Sequence, residues 1–215
     1  MSSLREVKKR IKSVKNTAQI TKAMEAVSAT KMRKSQEFAL RARPYAFAGL
    51  KMLKNLLVHT QVVPELLRNR EVKNKCLLVV TSDKGLAGAF NSNVLKKAES
   101  WLNFEKKQGS NFYLIAVGKK TKDYFERRGF EIFKSFTGFG DFSALAQTAP
   151  VADLILNGFE NDKWDEVETI YTNFRTTLKQ EVVLRKILPV SKESLEEIVA
   201  TLIPEHGRYA NNSLS

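Results

Sequence analysis

The sequence predicts an α/β fold class: a long N-terminal coiled-coil-forming helix plus a mainly parallel three-layer α/β domain. Three observations predict it. A capping box followed by a heptad run of apolar residues opens the chain, and strand-like apolar runs alternate with amphipathic segments from about residue 72 onward. The excess of positive charge is confined to the first quarter: residues 1–54 hold 14 Lys/Arg against 3 Asp/Glu, and the rest holds 22 against 20. The organisation that follows is a long basic helix over 1–60, an α/β (Rossmann-like) domain over 72–190, and a short helix with a disordered tail over 191–215.

Ser3 and Glu6 form an S-x-x-E capping box, which marks a helix start. Leu4, Val7, Ile11, Val14 and Ala18 then recur at alternating steps of three and four. That is a heptad seam. In the same register lie Thr21, Glu25, Ser28, Met32, Ser35, Ala39 and Ala42, so the seam turns small and polar in the middle, with Ile20, Met24 and Val27 to one side. Pro44 is expected to interrupt or kink the helix, which resumes at "YAFAGLKMLKNLLVHT". A helix over residues 3–43 would be about 60 Å long at roughly 1.5 Å per residue. The later helical stretches are too short to partner it, so the seam's second helix is expected from another chain or from sequence absent here. Glu25 on the seam would be costly to bury alone, which predicts a basic or hydrogen-bonding partner for it.

Composition excludes several functions. No window approaches the roughly 18 consecutive apolar residues of a membrane span, and "MSSLREVKKRIKSVKNT" has no apolar core of a secretory signal. The single cysteine, Cys76, opens an apolar run and reads as a buried, inert thiol in a reducing compartment. His59 and His206 stand far apart with no acidic or cysteine cluster beside them, so no metal site is expected. The basic helix carries no aromatic residue among its charges before Phe38 and no zipper or helix-turn-helix frame. Contact with acidic protein surface therefore fits it better than nucleic acid.

The α/β domain is read in order. "KCLLVVTS" (75–82) is a buried strand, and Asn91 or Ser92 caps a helix beginning near Asn93. "NFYLIAVG" (111–118) is a second strand, and "KKTKDYFERRG" is an amphipathic helix ending at Gly129. "FEIFKSF" (130–136) is a third strand. Residues 140–158 are helix, with Asp141 or Ser143 as cap, Pro150 at a break or restart and Gly158 as terminator. "DEVETIYTNF" (165–174) and "QEVVLRKILPV" (180–190) are extended, and Ser191 caps a last helix ending near Pro204. Strand–helix alternation with short connections predicts the mainly parallel sheet.

A strand, a glycine-bearing loop and a helix at "TSDKGLAGAFNSNV" (81–94) suggest a phosphate site. The spacing argues against one. Gly85 and Gly88 are three apart, "AFN" rather than "K[ST]" follows, and G-x-G-x-x-G is absent. The loop reads as glycine-enabled backbone or as a protein-contact loop. Ser82, Asp83 and Ser92 have no histidine nearby to activate a hydroxyl. No catalytic residue, cofactor or metal ligand is expected.

Two stretches carry a family resemblance. "IKSVKNTAQITKAMEAVSATKMRKSQ" (11–36), followed by "RPYA" (43–46), closely resembles the N-terminal helix of the gamma subunit of F-type ATP synthases. "TSDKGLAGAFNSNV" resembles the same family's first strand-end loop at the matching place, and "SFTGFGD" (135–141) looks like a third, weaker segment. The resemblance implies a non-catalytic central-stalk rotor subunit. Its N- and C-terminal helices form a shaft within the alpha/beta ring, and its α/β module faces the epsilon subunit and the membrane c-ring. Catalytic sites belong to the beta subunits. Rotation couples proton or sodium flow to ATP synthesis on the cytoplasmic side of a bacterial inner membrane, without membrane insertion or nucleic-acid binding. By this resemblance Thr21, Lys22, Met24, Glu25, Lys31, Met32 and Arg33 lie where the shaft meets the ring, and Ser82, Asp83, Lys84 and Gly85 lie where the module approaches the beta subunit.

The resemblance also implies a long C-terminal shaft helix, whereas this chain reads "LPVSKESLEEIVATLIPEHGRYANNSLS" and stops. It is therefore read as a truncated or divergent gamma subunit. The alternative is a gamma-like protein without rotor activity, acting as a basic protein- or nucleic-acid-binding module. An enzyme with an unrecognised nucleotide site ranks third.

Overall fold

The computed structural model describes residues 3–59, 64–140, 145–176 and 178–202. Contacts divide the chain into two units, Met1–Pro44 and Tyr45–Ser215.

Helix α1 runs Leu4–His59. Its capping box forms as expected: the Ser3 amide donates to Glu6 Oε2 at 3.0 Å, and the Glu6 amide donates to Ser3 Oγ at 3.3 Å. The break expected at Pro44 does not occur, since the helix continues through it. Proline withdraws a single N–H from the ladder, and the bonds on either side sustain the helix. Within the first unit the seam residues Leu4, Val7, Ile11 and Val14 are all exposed.

The second unit holds a five-stranded sheet in the order β3-β2-β1-β4-β5. Its strands are β1 (Asn74–Val80), β2 (Asn111–Val117), β3 (Lys134–Phe136), β4 (Glu166–Phe174) and β5 (Gln180–Leu188). Every pairing is parallel except β4 with β5. The short 175–179 connection leaves no room for a crossover, so β5 must return antiparallel. Helices α2 (Phe90–Gln108), α3 (Lys119–Glu126), α4 (Leu145–Glu160) and α5 (Lys192–Leu202) complete the unit.

Strand β1 is central and apolar on both faces, which makes it the core's axis. Cys76 and Leu78 face α4 with Ile115, Val151, Ile155, Phe159, Trp164 and Val167. Leu77 and Val79 face α2 and α3 with Val94, Leu95, Ala98, Leu102, Leu114 and Phe125. This gives the expected three layers. Burial pushes the Cys76 thiol up to about 12, in keeping with an inert core thiol.

Four boundary expectations are corrected. Helix α2 begins at Phe90 rather than near Asn93, with Ala89 at the N-cap and no side-chain cap. Asn91 is instead engaged with Ser82. Strand β3 covers only residues 134–136, because only these pair with β2; the aromatic residues before them make ring contacts instead, Phe130 with Phe125 and the partly exposed Phe133 with Trp164. Helix α4 passes through both Pro150 and Gly158. Gly158 does not terminate it but makes room for a ring, since a Cβ there would overlap the Trp164 indole. Ser191 does cap α5, exchanging bonds with Ser194 at 3.0 and 3.1 Å. The caps expected at Asp141 and Ser143, the helix end near Pro204 and the tail lie outside the described residues.

Beneath α2 the sheet carries a cluster of charges. Lys75 Nζ pairs with Glu105 Oε1 at 2.6 Å, Lys186 Nζ pairs with Glu166 Oε2 at 2.8 Å, and Trp101 Nε1 donates to Glu168 Oε2 at 2.8 Å. Burial would lower the Lys75 ammonium, but the Glu105 hydrogen bond and the Glu105, Glu166 and Glu168 charges together raise it. Desolvation, and then the neighbouring Glu166 charge, push the Glu168 carboxyl up against the Trp101 hydrogen bond.

A raised carboxyl binds a proton more readily folded than unfolded. Its contribution to stability is therefore fully present below the unfolded value and is lost as pH rises through the folded one. Glu168→Gln keeps an acceptor for Trp101 and removes the charge. At neutral pH it should stabilise the domain by about 1 kcal/mol, with a flatter stability–pH curve on the acid side, read by urea titration across pH. Gly158→Ala should do the opposite, costing about 1–3 kcal/mol through overpacking against Trp164, read as a fall in urea midpoint at unchanged slope.

Candidate functional site

The ends of β1, β2 and β3 meet on one edge of the sheet, and the loop between β1 and α2 is fixed there by its own polar groups. The Ser82 amide donates to Asn91 Oδ1 at 3.0 Å, Asn91 Nδ2 donates to Ser82 Oγ at 2.9 Å, and Ser82 Oγ donates to the Lys84 carbonyl at 2.6 Å. Asp83 reaches across the edge. Its Oδ1 accepts the Lys119 amide at the start of α3 at 2.7 Å, and its Oδ2 accepts the Gly138 amide beyond β3 at 2.9 Å. Beneath it Thr81 and Thr121 share a buried hydroxyl contact of 2.7 Å, and the Thr121 amide donates to Thr81 Oγ1 at 2.9 Å.

Gly118, between β2 and α3, has φ 92°. A Cβ there would strike the Thr81 carbonyl, so glycine is required both by conformation and by the close approach of the two strand ends.

This arrangement has a chemical consequence. In an α/β fold the helix N-terminus beyond a strand is the natural seat of a phosphate, drawn by free amides and the helix dipole. At α3 a carboxylate of the chain itself, Asp83, already takes the first amide. At α2 the first turn has no acidic residue and no side-chain cap, and the glycine spacing lacks a lysine positioned for terminal phosphates. Among the described residues no group of three or more His, Cys, Asp or Glu is placed to hold a metal ion.

Of the expected contact residues in this loop, the structure brings Ser82 and Asp83 inward as struts and leaves Lys84 and Gly85 exposed. The Lys120 side chain lies beside Gly85, 3.6 Å from where a Cβ would stand. Leu86 is 91% exposed and holds a positive φ of 59°. Lys120, Thr121, Gly138 and Leu86 were not foreseen. The first three are distant in sequence and meet only through the parallel sheet, and nothing in the pattern marks Leu86 apart from its place between two glycines.

On α1 the expected contacts form a separate, helical group. Thr21 folds its hydroxyl back onto the carbonyls of Thr17 and Ala18, both at 3.0 Å. Met24 and Met32 are each 44% exposed, Lys22, Glu25 and Arg33 are exposed, and Lys31 is half-buried. The partner expected for Glu25 is not found among the described residues. Near the N-terminus Val7, Ile11 and Val14 make an apolar strip edged by Glu6, Arg10 and Lys15.

The chain thus combines a long basic helix bearing an exposed heptad seam with an α/β module whose strand-end loop is braced by its own side chains. The sequence profile of the family described as ATP synthase matches residues 3–212. The chain is 37% identical to the ATP synthase gamma chain of Microcystis aeruginosa over 215 residues, covering 97% of this chain and 68% of that one. It is 40% identical to the ATP synthase gamma chain of Pelotomaculum thermopropionicum over 194 residues, covering 88% and 66%. The chain thus spans about two thirds of the length of these curated relatives. In fold it is similar to a chain of the Tetrahymena thermophila mitochondrial ATP synthase central stalk/c-ring, with TM-score 0.66 and 24% identity, covering 87% of this chain and 79% of that one. The chain belongs to the family of F-type ATP synthase gamma subunits, the rotor subunits of the central stalk.

Asp83→Ala removes both amide acceptors at once. It should cost about 1–3 kcal/mol and speed hydrogen exchange selectively at the Lys119 and Gly138 amides, measured by NMR.

Proposed function

We propose that this chain works as the rotor of an F-type ATP synthase, turning within the alpha/beta ring and coupling proton or sodium flow to ATP synthesis. The observation that carries the reading is the seam of α1, exposed at Leu4, Val7, Ile11 and Val14 on the most basic segment of a gamma-family chain. A rotating shaft needs long-range attraction to its bearing without tight specific contacts, and a positive rod against acidic ring surfaces meets that need. Residues 1–60 serve as the shaft helix and 72–190 as the module facing the epsilon subunit and the c-ring, with 191–215 as a short helix and tail. Thr21, Lys22, Met24, Glu25, Lys31, Met32 and Arg33 line the shaft's ring contact, and the 82–85 loop carries a second contact.

The chain is non-catalytic in this reading, and hydrolysis and synthesis occur on the beta subunits. No helix among the described residues is long and apolar enough to cross a membrane. The reading places the chain peripherally, on the cytoplasmic face of a bacterial inner membrane as part of the complex.

Co-expression with the alpha and beta subunits of the same organism tests it. Size exclusion and intact mass should find the chain in the ring complex at one copy per ring, with association weakening as salt rises. A ring that forms without the chain would contradict the assignment. Steeply salt-dependent binding of the free chain to duplex DNA would instead favour a basic nucleic-acid-binding module.

A further inference from the structure

The segment between helix α1 and strand β1 is a surface connector, and connectors of that kind are ordinarily the mobile parts of a domain. Glu65, Arg68, Glu71, Val72 and Lys73 are exposed, and Leu66 packs at the margin of the core. This connector is nevertheless tied down in three places. After a short 3-10 turn at Glu65–Leu67, the Leu66 carbonyl accepts the Val190 amide beyond β5 at 2.8 Å. Arg70 then reaches the turn between α4 and β4: its Nη1 donates to the Phe159 carbonyl at 2.9 Å and to Asp162 Oδ1 at 2.5 Å, and its Nη2 donates to Glu65 Oε1 at 2.6 Å. Asp165 Oδ2 accepts the Lys73 and Asn74 amides, both at 2.9 Å, while the Asp165 amide donates to the Asn74 carbonyl at 2.8 Å.

The turn that receives these bonds is itself fixed to the core. Phe159 and Trp164 are fully buried, Trp164 Nε1 donates to the Ile155 carbonyl at 3.0 Å, and the Lys163 amide donates to the Gly158 carbonyl at 2.8 Å. The Arg70 guanidinium lies 4.2 Å from the centre of the Phe159 ring, at the C-terminal end of α4, where the helix dipole favours a cation. Its side chain is only 11% exposed. Strand β1 is packed between the helices whether or not the connector is held. The effect of the bonds is to fix the path by which the chain enters the sheet.

We propose that this clamp is a torsional coupling of the rotor: turning force that reaches the end of α1 passes along residues 64–74 and enters the module at the α4–β4 turn. Arg70 is the positioning residue that keeps the connector from yielding. The inference rests on the rotor reading and adds to it a place where force crosses from helix to sheet. A connector held only at its two ends would stretch and swing before the module moved, whereas anchors at Leu66, Arg70 and Lys73–Asn74 leave little free length between them. The ion pair of Lys54 with Glu196 on α5, 3.3 Å long, also joins α1 to the module, but both side chains are half-exposed and such pairs hold weakly. Arginine suits the position because one planar fork serves a carbonyl, two carboxylates and an aromatic face together, which an ammonium does not.

Arg70→Lys keeps the charge and loses the fork, and Arg70→Ala removes both. Asp162→Asn weakens the same clamp from an exposed position, away from the core. Each is assembled with the alpha and beta subunits of the same organism, with the ring fixed to a surface and turnover arrested by a non-hydrolysable ATP analogue. A bead is attached to the module through Leu156→Cys, whose thiol is the one accessible because the chain's single cysteine, Cys76, is buried. The variance of bead angle then reads the torsional compliance of the rotor. It should rise about twofold or more for Arg70→Lys and Asp162→Asn and further for Arg70→Ala, while hydrolysis without load stays within about twofold of wild type. In the isolated Arg70→Lys chain, hydrogen exchange at the Lys73, Asn74 and Val190 amides should quicken about tenfold, with the Leu77 and Leu114 amides of the core unchanged. Angular variance equal to wild type in all three variants would overturn the coupling alone. A wild-type chain absent from the complex, or a bead that does not turn when ATP is supplied, would overturn the rotor reading and the coupling with it.

Discussion

The Asp83 carboxylate holds the working edge of the α/β module together. A parallel sheet brings strand ends side by side but gives no bond between the loops that leave them. Asp83, from the end of β1, supplies two, one to the start of α3 and one to the segment after β3. An ionised acceptor receiving backbone amides is among the stronger hydrogen bonds a protein makes. It also fills the position at α3 where a phosphate would be drawn in a nucleotide-binding relative of the same architecture. One side chain therefore both braces the edge and removes a ligand site from it. What the edge can still offer is a surface: exposed lysines and one outward leucine.

The two units solve different physical problems. The module is an ordinary core, with β1 buried on both faces between α4 and the α2–α3 layer. The helix over Leu4–Pro44 has no such interior, and its apolar seam is exposed. Isolated helices draw most of their stability from the face they bury, so a seam of this length expects a covering surface supplied from elsewhere. Charge follows the same division, with the positive excess on the helix and near balance in the module. A rod that attracts its bearing over distance, carried by a domain that is electrostatically quiet, suits a part that turns rather than one that locks.

Much of this was legible in the sequence. The Ser3–Glu6 box, the helix that the heptad steps from Leu4 to Ala18 call for, and the strands at 75–82 and 111–118 each obey a local rule, and each formed. The Ser191 cap formed for the same reason. The misses share a different cause. Pro44 and Pro150 sit in helices because one lost hydrogen bond is outweighed by the turns around it. Gly158 looks like a terminator in one dimension and is a packing notch for Trp164 in three. Strand β3 was read too long because alternation at 130–136 does not reveal that only three residues find a partner on β2. Ser82 and Asp83 are read from the sequence as contact residues of the loop, but their inward direction depends on Asn91, Lys119 and Gly138, whose proximity only the sheet order creates. The 13-residue stretch of helix assigned to ring contact, residues 21–33, rests on family resemblance, since neither spacing nor charge singles out Met24 over Met32.

The central claim is that this chain turns. The most direct measurement fixes its alpha/beta ring to a surface, attaches a bead to the α/β module through a Leu156→Cys thiol on α4, and records bead angle on adding ATP. Stepwise rotation in one direction, stopping when ATP is withdrawn, is the predicted result. A ring that carries the chain and hydrolyses ATP while the bead only fluctuates would contradict it.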